Sequence, residues 1–184
     1  MNTFEEETFK KINSLEYWEY EDCTFIECNF SGQDFSNYNF ENCEFQKCNL
    51  SMLKVIATTF SDIKFIDSKM QWIHFNDCND FNIEFSFNNC DLSFSIFSKL
   101  NLKWINFDNS ILKEVNFIET NLIEATFEGC DLLWAIFSET NITKADFITS
   151  YNYSLDPELN IMKKAKFWLE WVWGLLLKYD IFIK

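Results

Sequence analysis

Residues 92–147 read, in blocks of five, LSFSI FSKLN LKWIN FDNSI LKEVN FIETN LIEAT FEGCD LLWAI FSETN ITKAD F. Every block opens on a large apolar residue. Aliphatic residues and Phe alternate without a failure: Leu92, Phe97, Leu102, Phe107, Leu112, Phe117, Leu122, Phe127, Leu132, Phe137, Ile142, Phe147. Asp or Asn precedes eight of these twelve positions. Two residues before each sits something small or slim, as at Cys90, Ser110, Thr120, Ala125, Cys130, Ala135, Thr140 and Ala145. A period of five is neither a helix, at 3.6, nor a strand, at 2. It marks a repeat architecture.

One unit of five is too short to bury its own apolar residue, so successive units must wind into a coil whose turns stack. Four units close a square of 20 residues, with the central apolar residue and the small residue pointing inward. Position n then lies over n+20 at about 4.8 Å, by backbone pairing between coils. Leu92, Leu112 and Leu132 stack on one side, and Leu102, Leu122 and Ile142 opposite. The two Phe columns, 97/117/137 and 107/127/147, fill the remaining walls. Asn101, Asn121 and Asn141 share the same spacing and are expected to form an amide ladder along a corner. Units such as Ala145-Asp146-Phe147 and Thr120-Asn121-Leu122 resemble the pentapeptide-repeat family. That resemblance implies an all-β repeat solenoid, a right-handed quadrilateral β-helix.

Composition sets further bounds. Gly 3 and Pro 1 argue against a loop-rich chain, and the repeat accounts for Phe 22. Cys23, Cys28, Cys43, Cys48, Cys90 and Cys130 all take the inward small position. They read as small core residues in a reducing compartment. The only His, His74, takes an outward position, so neither a metal nor a cofactor is expected. The acidic N-terminus has no signal-peptide pattern, no apolar run reaches 18 residues, and a cytoplasmic chain is expected. Net charge is −14 and uneven. Residues 1–46 hold eleven acids and two Lys, residues 104–146 eight acids and two Lys, and the tail from 147 four acids and five Lys. With no Arg and no basic patch, direct nucleic-acid binding is not expected. No nucleophile–base pair or Gly-rich phosphate loop is apparent, so the chain reads as a non-enzyme.

Three parts follow in order. Residues 1–14 form an N-terminal extension, where Thr3 and Glu6 match a capping box for a short helix. Residues 15–153 form the β-helix. Its register slips within 76–87, where the next expected centre is Asp80 and Phe81 offers a centre one residue late. Residues 154–184 form a C-terminal cap. Asp156-Pro157 reads as a helix start, and Trp168–Tyr179 as a helix apolar nearly all round, which needs a second partner. Asp180–Ile183 reads as a short strand. The expected homodimer interface is Trp168, Trp171, Val172, Leu175, Leu176, Tyr179 and Ile181.

The tail pattern of Asp156-Pro157, Asn160, Ala165-Lys166-Phe167, Gly174-Leu175-Leu176 and Tyr179-Asp180-Ile181 is similar to the end of quinolone-resistance (Qnr-type) pentapeptide proteins. The resemblance implies a dimer joined through its C-terminal helix that binds DNA gyrase or topoisomerase IV as a DNA mimic. Outward acids that stack at the 20-residue spacing, Glu119 with Glu139 and Asp108 with Glu128, are the candidate partner-binding faces. The alternative is a structural scaffold with an unidentified protein partner, its acids serving only to keep a Phe-rich chain in solution.

Overall fold

The computed structural model describes residues 3–16, 18–81 and 83–182. The chain is a β-solenoid of about eight turns. Its short strands are β1 Thr3–Glu5, β2 Thr8–Lys10, β3 Glu19–Glu21, β4 Thr24–Ile26, β5 Asn39–Glu41 and β6 Glu44–Gln46. They continue as β7 Thr59–Ser61, β8 Ile63–Ile66, β9 Phe85–Asn88, β10 Asn106–Asp108, β11 Asp146–Phe147 and β12 Lys166–Phe167. All pairing between coils is parallel. On the third side of the square β1, β3, β5 and β7 stack in that order; on the fourth, β2, β4, β6, β8, β9 and β10.

The lumen is aromatic. On the fourth side nine rings, Phe9, Phe25, Phe45, Phe65, Phe87, Phe107, Phe127, Phe147 and Phe167, stack with centroids 4.5 to 5.3 Å apart. Rings from the second side meet them edge-on across the lumen, as Phe97 meets Phe107 at 5.8 Å and 83°. Edge-to-face geometry sets the positive rim of one ring against the negative face of another. The small inward residues do more than save space. Thr120 Oγ1 donates to Phe97 O at 2.9 Å, Thr140 Oγ1 to Phe117 O at 2.7 Å, and Cys90 Sγ to Phe65 O at 3.3 Å. Every cysteine is buried and free. Burial pushes the thiols of Cys43, Cys48, Cys78, Cys90 and Cys130 up to about 12.

Each corner turns on a left-handed residue two positions past a centre, such as Trp104 (φ 64), Glu119 (φ 57) and Gly129 (φ 66). At Gly129 a Cβ would meet Asn109 Oδ1 at 2.5 Å, so that corner admits no side chain without a shift. Of the expected amide ladder, Asn121 Nδ2 donates to Asn101 Oδ1 at 3.0 Å. The Asn141 carbonyl oxygen on its side chain instead accepts from the Thr143 N–H at 3.1 Å.

Several local expectations are corrected. The N-terminal stretch carries two strands where a helix was expected. Phe4 and Phe9 are five apart, and their rings stack on Tyr20 and Phe25 at 5.7 and 5.1 Å. Pairing there is offset by 16 residues (Thr3 with Glu19), which a search at 20 misses. Between residues 66 and 91 the offset rises to 22, as in Lys69 with Asp91 and Lys64 with Ser86. Asn79 is the last residue before the insertion that still bonds the coil beneath, its N–H donating to Thr58 O at 2.9 Å. Phe81 is 72% exposed and is not a lumen centre; Phe85 is buried in that region. After Phe147 the repeat persists, with Asp131 beneath Tyr151 and Asn141 beneath Ile161.

The cap also differs. Residues 157–159 form a turn, not a helix, with Leu159 N donating to Asp156 O at 3.2 Å. In place of one helix over 168–179 there are two 3-10 segments, Leu169–Leu175 and Leu177–Tyr179. The two segments meet at Leu176, and Gly174 lies inside the first. It lies against Tyr153, and a Cβ there would stand 2.3 Å from Tyr153 O. Residues 180–182 form no strand, and Asp180 is left-handed; Ile183 lies outside the described residues. No helix is long and apolar enough to cross a membrane among the described residues.

Candidate partner-binding surfaces

The stacking of coils decides which acids stand together. Asp108 and Glu128 occupy one outward column of the fourth side, a residue past Phe107 and Phe127. Burial first, and then the neighbouring Glu128 charge, raise the Asp108 carboxyl above its usual range. Glu119 and Glu139 occupy the corner after the second side, both exposed. Lys99 Nζ reaches Glu119 Oε1 at 3.6 Å from the coil beneath, so this column alternates in sign at its base. The two pairs lie at diagonally opposed corners. The winding therefore does not unite the four acids into one strip.

A longer acidic column stands on the third side, at the N-terminal end of the coil. β1, β3 and β5 place Glu5 over Glu21 over Glu41 on three consecutive coils. The Glu41 charge first, then burial, then Glu5 and Asp22 push the Glu21 carboxyl up. The signal was present in the acid-rich first 46 residues. It was hidden because Glu5 belongs to the strand paired at an offset of 16.

At the other end, the cap divides the expected interface in two. Trp171, Val172, Leu175 and Leu176 are half-buried, and Trp171 and Leu175 pack on the solenoid's own core. Trp168, Tyr179 and Ile181 are exposed, together with Leu169 (82%), Trp173, Leu177 and Phe182 (100%). Lys178 clamps this segment to the last coil through Asp156 Oδ1 at 2.6 Å and Glu158 Oε2 at 2.7 Å. Tyr179 Oη donates to Glu158 at 2.9 Å. His74 stands outward, its Nδ1 3.9 Å from Asp77 Oδ2. Among the described residues no group of three or more His, Cys, Asp or Glu side chains is placed to hold a metal.

Residues 18–86 match the family model of a pentapeptide repeat region, and residues 84–114 and 116–150 match that of pentapeptide repeats. No curated protein sequence matches the chain. Among solved structures, a trypsin-treated variant of QnrB1, a plasmid-mediated fluoroquinolone resistance protein, is 18% identical. The alignment covers 99% of this chain and 97% of that one, with a TM-score of 0.68. A second trypsin-treated QnrB1 variant aligns over 99% and 98% at 18% identity and a TM-score of 0.65.

Proposed function

The chain belongs to the pentapeptide-repeat family, and we propose that it is a non-catalytic, cytoplasmic binding module whose acidic faces imitate DNA to a type II topoisomerase. The partner is DNA gyrase or topoisomerase IV, and binding protects it from quinolones. The observation that carries the reading is the column Glu5, Glu21, Glu41. Like charges stacked across a parallel ladder repel, and repulsion of this kind works against the fold. A row of carboxylates answers that cost by matching a basic groove and steering it from a distance. The tail resemblance and the whole-length likeness to QnrB1 support the choice of partner.

The same resemblance supports a homodimer joined through the cap. The exposed apolar side chains there, Trp168, Leu169, Trp173, Leu177, Ile181 and Phe182, all fall within fifteen residues and are unusual on a monomer's surface. Leu169→Glu with Leu177→Glu is expected to give monomers in light scattering without loosening the cap, because both side chains point away from the core. Dimers that persist would move the interface elsewhere.

Gyrase supercoiling with the purified protein, with and without a quinolone and at two salt concentrations, tests the partner. Inhibition or drug protection should weaken as salt rises and should disappear in a Glu5→Gln, Glu21→Gln, Glu41→Gln variant. No effect on either topoisomerase would reject the partner.

A second reading is a scaffold with another protein partner. It is favoured by cross-coil ion pairs that neutralise other outward acids: Lys54 with Asp34 at 2.8 Å, Lys99 with Glu119 at 3.6 Å and Lys166 with Asp146 at 2.9 Å. A partner bound with no salt dependence would support it.

A further inference from the structure

In this solenoid the N–H before each centre donates to the coil beneath. Asn121 N bonds Leu100 O at 2.9 Å, and Asn141 N bonds Thr120 O at 3.0 Å. Two rows break the rule: among the described residues the His74 N–H has no acceptor in the coil beneath, although Ala57 N still bonds Asp77 O at 2.8 Å on that side, and the break at Asn101 is wider. Among the described residues no backbone bond joins Asn101–Trp104 to the coil below. The Asn101 N–H has no acceptor there, and the carbonyls of Asn101 and Lys103 have no donor. The first and fourth sides pair straight through the same level, Lys69 with Asp91 and Ile63–Ile66 with Phe85–Asn88.

The cause is the inserted chain. Asn79 N still bonds Thr58 O at 2.9 Å, but Phe81 is exposed, and Phe85 is buried in the lumen. The third side is thus missing one rung. A cavity of about 240 Å³ opens there, lined by Asp62, Ile83, Glu84, Phe85, Leu102 and Trp104, among others. It is smaller than the roughly 300–1,000 Å³ typical of small-molecule sites. What it offers instead is the free edge of a parallel ladder.

We propose that this missing rung is a β-augmentation site, in which an extended segment of a partner polypeptide lies along Asn101–Trp104 and completes the third side. Such strand addition draws affinity from backbone bonds and specificity from alternate side chains. The floor is apolar, formed by Ile83, Phe85 and Leu102. Trp104 stands over the opening, 69% exposed on a left-handed corner that disfavours a bulky residue. Trp72, Phe94 and Trp134 take the same corner position elsewhere, while Asn89, Asn109 and Gly129 show that the fold does not require an aromatic ring there.

Charge selects the segment. Asp62 and Glu84 line the opening against the single Lys103, and the column Glu5, Glu21, Glu41 continues the same side below. The occupant therefore pairs an apolar side chain with an adjacent lysine or arginine. The inference stands apart from the topoisomerase reading, and its test uses no topoisomerase.

The full-length protein, labelled with nitrogen-15, is titrated with acetyl-Val-Arg-Val-Arg-Val-amide and with acetyl-Val-Glu-Val-Glu-Val-amide. The arginine peptide should shift the Asn101 amide and the Trp104 indole N–H and slow exchange of the Asn101 amide. The glutamate peptide should bind at least about tenfold more weakly, as charge complementarity requires. Deleting Asp80 and Asn82 restores the 20-residue spacing with Phe81 at the centre position and closes the rung. That variant should fold and no longer bind. The proposal is overturned if the arginine peptide leaves Asn101 and Trp104 unmoved at millimolar concentration, if both peptides bind alike, or if the deletion variant still binds.

Discussion

Phe107→Ala tests the stack at the middle of the coil. The Phe107 ring is fully buried. It lies parallel to Phe87 and Phe127, each at 5.2 Å, and edge-on to Phe97 at 5.8 Å and Phe117 at 5.7 Å. Removing a core Phe costs about 3–5 kcal/mol through lost transfer energy and the cavity left behind. With four ring partners and a lumen held rigid by cross-coil bonds, collapse around the hole is limited. A loss of about 4–5 kcal/mol, near the top of that range, is expected. Phe81→Ala is the control. Its ring is 72% exposed, so the cost should stay within about 0.5 kcal/mol, as at other surface sites. Urea unfolding followed by circular dichroism reads both variants. Because each coil contacts only its neighbours, the Phe107 variant should also broaden the transition as the two halves uncouple. A loss below about 1 kcal/mol at Phe107, or equal losses at the two sites, would refute the assigned register.

Other consequences are open to simpler measurements. The buried thiols should resist Ellman's reagent in the folded protein and react only at the rate of unfolding; several that react at once would show that the lumen is open. Gly174→Ala forces a Cβ into Tyr153 and should displace the 3-10 cap, seen as faster amide exchange over residues 169–179 at little change in the rest; an unaltered cap would contradict the contact. The cap and the N-terminal column should respond oppositely to acid. Bonds from Lys178 hold the Asp156 and Glu158 carboxyls below their ordinary values of 3.8 and 4.5. Their contribution is present above those values and is lost as pH falls toward the lower, folded ones. Glu21 is raised above 4.5, mainly by Glu41, so its penalty is present at neutral pH and is relieved as pH falls through its raised value toward 4.5. Amide exchange at both ends between pH 6 and pH 3, roughly the window of these groups, reads the two signs, and parallel loss at both ends would count against them.

The lumen was legible because a buried position in this fold recurs at a fixed interval. Leu92 to Phe147 satisfied that interval at every step, and all twelve centres are buried. Legibility failed wherever the interval changed. Glu21 and Glu41 stand 20 apart, as Glu119 and Glu139 do, but Glu5 joins them only through an offset of 16, so the length of that column was not legible at the regular spacing. Phe81 offered an apolar residue near the right place, yet two extra residues shifted the strand so that Phe85 and Phe87 entered instead. In the cap the composition was read as a helix. The contact of Gly174 with the Tyr153 backbone, between residues 21 apart, leaves no periodic trace.

The third side also carries a gradient of charge. Its outward column reads Glu5, Glu21, Glu41, Ser61, and then, past the missing rung, Lys103, Ile123, Thr143, Lys163. The neighbouring corner runs in parallel, from Asp22 and Asp62 to Lys144 and Lys164. A dimer joined cap to cap would set the lysine-rich ends on either side of the join and the acidic columns at the two far ends. A basic groove then meets one acidic end at a time, not a continuous negative rod through the centre. The monomeric variant Leu169→Glu with Leu177→Glu should therefore keep its affinity for a topoisomerase within about threefold, since no new like charge reaches the acidic end at that distance. Binding measured by calorimetry should give one site per protomer in both forms. If the monomer instead loses binding, the duplex-like surface spans the join, and the acidic columns at the far ends are not where the partner sits.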